Sequence, residues 1–68
     1  MKESRSIALQ GLLAKVAAAM GPGGGERIAD VGRVQEAQDL GCEVATGATY
    51  TRLIFAIEAE IGRKNIGG

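Results

Sequence analysis

Leu9, Leu13, Val16 and Met20 recur at spacings of 4, 3 and 4 residues, the rhythm of one face of an α-helix. Leu12 widens that stripe, and the pattern predicts a helix over about residues 4–20. The far side is unusual. Ile7, Gly11, Ala14 and Ala18 are apolar or small where a surface helix would carry charge, and only Gln10 and Lys15 are plainly polar between Ile7 and Met20. A helix apolar on most of its circumference is normally covered on more than one side. The second clear pattern lies near the other end: Tyr50, Ile54, Ile57 and Ile61 again run at spacings of 4, 3 and 4, with Leu53 at the edge of the stripe. It predicts a helix over about residues 50–62, with Glu60 and Lys64 as a favourable i,i+4 pair if the last turn holds. Gly62 is a candidate end of this helix, and residues 63–68 are expected to fray.

Phe55 lies about 130° round that second helix from the middle of its stripe, on a side where Ala48, Ala59 and Gly62 are small. A large aromatic among small residues can serve as a knob for another helix or another protein. A solitary exposed Phe is the plainer alternative.

The middle of the chain is less definite. Gly21 suits the left-handed conformation that ends many helices, and Pro22 cannot continue the ladder, so "GPGGG" is expected to stop the first helix and act as a hinge over residues 21–25. In "ERIADVGRVQEAQDLG", the pairs Asp30–Arg33 and Arg33–Glu36 support a helix over about 26–40, ending at Gly41. Gly32 interrupts that pattern, and Leu40 falls off the Ile28–Val31–Val34 stripe. Residues 26–34 therefore stay open between helix and a short strand in "RIADV". "CEVATGATYT" reads as a connector whose threonines are available as helix N-caps.

The fold class is all-α: a small helical hairpin or three-helix unit with a Gly/Pro-rich hinge, in a single domain spanning residues 1–68. A chain of 68 residues hides only about 60% of its unfolded surface and is marginal as a lone monomer. Scaffolds of this size usually need a disulfide, a metal or a partner subunit. Cys42 is the one cysteine and there is no histidine, which rules out an internal disulfide and a cysteine-rich zinc site. Homodimerisation is the expected remedy.

Charge adds little. Eight basic and eight acidic residues balance, which removes the usual signature for nucleic acid or a membrane surface. A mild polarity remains. Residues 1–20 carry a net +2, residues 21–45 a net −3 and residues 46–68 a net +1. Gln10 and Lys15 interrupt the apolar stretch that a signal peptide needs, and no run approaches the roughly 20 apolar residues of a membrane span. A cytoplasmic protein is expected.

Candidate chemistry is thin. The glycine run fails both phosphate-binding patterns: no Lys stands within the turn, a helix precedes it, and Glu26 would repel phosphate. Without histidine, acid–base work would fall to carboxylates, lysines or Tyr50, and none of these forms a recognisable constellation. Cys42 has no cationic sequence neighbour to activate it. No enzyme, cofactor or metal is expected.

"EAQDLGCEVATGATYTRLI" partly resembles a helix-turn-helix, which implies DNA binding with "GATYTRLIFAIE" as the recognition helix and Arg52 as a DNA contact. The register departs from that pattern, since Gly47 falls where a buried branched residue should anchor the second helix. Neutral charge also removes the phosphate attraction that usually dominates affinity.

The expected function is a non-enzymatic protein–protein interaction module: an accessory regulator, inhibitor or adaptor that binds an unidentified protein through apolar helix surfaces. A DNA-binding transcriptional regulator is the alternative, and a structural subunit of a larger assembly is a second one. Candidate partner or dimer contacts are Ile7, Gly11, Ala14 and Ala18 on the first helix, and Tyr50, Ile54, Phe55, Ile57, Ala59 and Ile61 on the last.

Overall fold

A computed structural model of the protein describes residues 2–66. Three helices account for most of them: α1 (Lys2–Met20), α2 (Val31–Asp39) and α3 (Tyr50–Ile66). The all-α class is thus observed. Among the described residues the extended structure is limited to one antiparallel bridge, between Ile28 and Thr49. No described helix is long and apolar enough to cross a membrane.

The long helices α1 and α3 pack against each other, and α2 closes the open side. Leu9, Leu12 and Val16 of α1 meet Tyr50, Leu53 and Ile57 of α3, with Val34 and Ala37 of α2 completing the core. Leu9, Val16, Val34, Leu53 and Ile57 are fully buried. Each contributes roughly 1.5–3 kcal/mol by leaving water. Both stripes are rotated slightly from the positions that the hydrophobic spacing favours. Leu12 is buried and Leu13 half-buried; Leu53 is buried and Ile54 half-buried. The third helix explains the shift, because α2 covers one flank of the α1–α3 seam.

The middle segment resolves into two parts. Residues 26–30 are not helical, and the helix begins at Val31 rather than Glu26. Two backbone bonds flank the Ile28–Thr49 bridge and hold the early part extended: Ala29 N–H donates to Ala48 O (2.8 Å) and Tyr50 N–H to Arg27 O (2.9 Å). The Arg33–Glu36 pair lies within the helix that forms, at 3.0 Å, while the residues before Asp30 are held extended by these backbone bonds. Asp30 takes the N-cap position in extended geometry, with φ −57° and ψ 131°. α2 ends one residue before the expected limit in a Schellman motif. Gly41, at φ 93°, donates to Gln38 O, and Cys42 N–H reaches Ala37 O at 2.9 Å.

The glycine-rich segment joins two helix ends. Arg27 Nη2 donates to the terminal carbonyls Ala19 O (3.2 Å) and Met20 O (2.6 Å) of α1. Gly25 O and Arg27 O accept the otherwise unpaired N–H groups of Thr51 and Tyr50 at the start of α3. Thr49 Oγ1 accepts Arg52 N–H (3.3 Å), a threonine N-cap of the kind the connector offers. α3 continues through Gly62 to Ile66, because Gly62 keeps helical geometry there. The expected Glu60–Lys64 pair falls on a side chain outside the described residues, as do Gly67 and Gly68 of the expected frayed end.

Candidate interaction surfaces

Arg5 and Glu60 bind the three helices together at one end. Arg5 Nη2 meets Glu60 Oε1 at 2.9 Å, and Arg5 Nε donates to Leu40 O at 2.9 Å. One guanidinium on α1 thus ties the carboxylate of α3 to the end of α2. Arg63 adds a longer contact, 3.4 Å, to the other Glu60 oxygen. Glu60 is buried, and no buried side-chain nitrogen or oxygen among the described residues lacks a partner. Sequence reasoning passed over this pair although the signal is present: Arg5 continues the Leu9–Leu12–Val16 stripe, and Glu60 continues Tyr50–Leu53–Ile57. A charge on a buried stripe at the same end of two packed helices is a candidate ion pair.

Cys42 lies beside this cluster and is buried. Burial first, then the Glu60 carboxylate, push its thiol pKa up, while Arg5 pulls the other way. A thiol held protonated is a poor nucleophile. Among the described residues no group of three or more His, Cys, Asp or Glu is placed to hold a metal ion.

The expected contact residues separate into two sets. Tyr50 and Ile57 are buried in the chain's own core, and Ile54 and Ile61 are half-buried against it. The Tyr50 hydroxyl accepts Asp30 N–H (3.3 Å), and the Arg27 guanidinium lies 5.5 Å from its ring centre. This stripe is the internal seam with α1. The other set faces outward. Ile7 and Phe55 are each 70% exposed, and Gly11, Ala14, Ala18 and Ala59 are exposed as well.

The outer face of α1 presents Ile7, Gly11, Ala14 and Ala18 in a row at i, i+4, i+7 and i+11. Along its edge runs an open groove of about 400 Å³, where Gly11 and Lys15 of α1 look across to Glu36 and Asp39 of α2. Both acids already have partners. Glu36 pairs with Arg33 at 3.0 Å, and Asp39 accepts from Gln35 Nε2 at 3.0 Å.

Phe55 stands on the side of α3 turned away from α1. Grooves of about 220 Å³ and about 410 Å³ border it. Glu43, Ala59 and Arg63 line the first, Thr49 and Thr51 the second, and Arg52 borders both. Arg52 is exposed. The helices on either side of the segment that resembles a helix-turn-helix are joined by ten residues, Leu40 to Thr49, where that motif uses three or four. Comparison of this chain with protein-family models, curated proteins and solved structures finds no match.

Proposed function

We propose that this chain is a non-enzymatic protein-interaction module, a small regulator, inhibitor or adaptor that works as a homodimer and binds another protein through an apolar helix face. The observation that carries the reading is the outer face of α1. After Leu9, Leu12 and Val16 have closed the core, that helix still exposes Ile7 beside Gly11, Ala14 and Ala18. Small residues in a row let a second helix approach closely, and the isoleucine supplies apolar area at one end. Between Ile7 and Met20 the charge on α1 is Lys15 alone, so the face costs little to desolvate.

A photo-crosslinking amino acid placed at Ala14 or Ala18 in living cells tests this reading. One defined protein is expected to be captured at both positions, and capture should vanish when Ile7→Asp is added while helix content is unchanged. Absence of a defined product at both positions, with the protein folded, refutes it.

A further inference from the structure

The glycine-rich stretch is fastened, and one side chain grips both of the helices it crosses. We propose that residues 21–30 form a strap that opens and closes as one unit over the Tyr50 end of the α1–α3 seam, with Arg27 as its latch. The strap runs from the end of α1 at Met20 to the start of α2 at Val31. The fully buried core side chains Leu9, Val16, Val34, Leu53 and Ile57 all lie outside it. Within it only Gly24 and Ala29 are buried, and they bring a single methyl group to the core, while Ile28 is 61% exposed. A segment with so little buried apolar surface can detach while the core stays closed.

Polar contacts hold the strap down. Arg27 Nη2 donates to Ala19 O and Met20 O, at the carbonyl end of α1 where the helix dipole favours a cation. The same guanidinium lies over the Tyr50 ring at the start of α3. Gly25 O and Arg27 O accept the Thr51 and Tyr50 N–H groups, and Ala29 N–H donates to Ala48 O. Asp30 N–H donates to the Tyr50 hydroxyl. All of these bonds run between the strap and the elements beneath it, so lifting the strap breaks them together.

The glycines serve the closed state. A Cβ on Gly24 would strike the Met20 carbonyl, and one on Gly25 would strike the Thr51 hydroxyl, so the strap lies closer to both helices than a side chain allows. Opening frees the first N–H groups of α3 and uncovers Tyr50, which is 6% exposed with the strap down.

Amide hydrogen exchange on the full chain tests the strap, under conditions where the rate follows the opening equilibrium. In wild type the Ala29, Tyr50 and Thr51 amides should exchange through one shared opening, at least about 30-fold more populated than the opening that exposes Val16 and Leu53. Ile57→Val weakens the core and leaves the strap's contacts intact. It should speed the Val16 and Leu53 amides about fivefold and leave the three strap-dependent amides at their wild-type rates. Arg27→Ala removes bonds made only in the closed state, so it should speed both sets by the same factor, about tenfold. Arg27 is exposed and Ile57→Val is conservative, so both variants should keep their helix content, as circular dichroism can verify. Strap-dependent amides that exchange no faster than Leu53, or that accelerate with it in Ile57→Val, overturn the separate opening. The same amides unmoved by Arg27→Ala overturn the latch.

Discussion

Removing the Arg5 side chain should loosen all three helices at once. In Arg5→Ala, Glu60 loses its 2.9 Å partner and Leu40 O loses its side-chain donor, while Arg63 remains at 3.4 Å. Two limits bracket the cost. An exposed ion pair contributes up to ~1 kcal/mol, and breaking a buried one costs ~3–5 kcal/mol. The pair is intermediate, with side chains 32% and 10% exposed for Arg5 and Glu60. Solvent screens the arginine more than the acid, so a loss of about 2 kcal/mol is expected. A chain of 68 residues has a total stability of roughly 3–10 kcal/mol, so that loss is large. The melting midpoint should fall by roughly 8–16 °C. Urea unfolding followed by circular dichroism, at one fixed protein concentration, measures it. The control is Arg63→Ala, whose side chain is 70% exposed and which should cost under ~0.5 kcal/mol. An Arg5→Ala protein within ~0.5 kcal/mol of wild type, or equal losses in the two variants, would refute the clamp.

Two further expectations concern glycines and the thiol. Gly11→Ala should stabilise the fold by up to ~1 kcal/mol, since an exposed helix position gains propensity and nothing lies within 4 Å of the added Cβ. Gly24→Ala should cost ~1–3 kcal/mol, because its Cβ would strike the Met20 carbonyl, and thermal melts of the two variants should move in opposite directions. Cys42 should resist alkylation at pH 8 in the native protein and react freely in denaturant, as a mass-shift time course would show. Its raised pKa means that the folded state keeps the proton longer than the unfolded chain. The associated stability is therefore fully present below the free-thiol value of 9.0 and is lost as pH rises past it, and a Cys42→Ala variant should lack that decline.

The long helices were legible because each repeats a 4-3-4 apolar spacing for about three turns or more, enough to outweigh local ambiguity. Helix class and the outward placement of Phe55 and Ile7 followed from angle alone. Residues 26–30 were not legible, since their state is set by pairing with Ala48, Thr49 and Tyr50, some twenty residues away, and not by local propensity. Tyr50 and Ile57 could be assigned to a buried stripe, but sequence does not say whether a stripe is covered by its own chain or by another. Arg5 and Glu60 were hidden for a different reason. A charge on an apolar stripe looks like an interruption until the opposite charge on the other helix is seen beside it.

The account turns on the apolar surface left over once the three helices have closed. Its most direct test is the solution mass of the wild-type protein by light scattering, at two concentrations and at low and high salt. The expected mass is twice the 7.0 kDa of the single chain. A compact species of 7.0 kDa under all four conditions would contradict it.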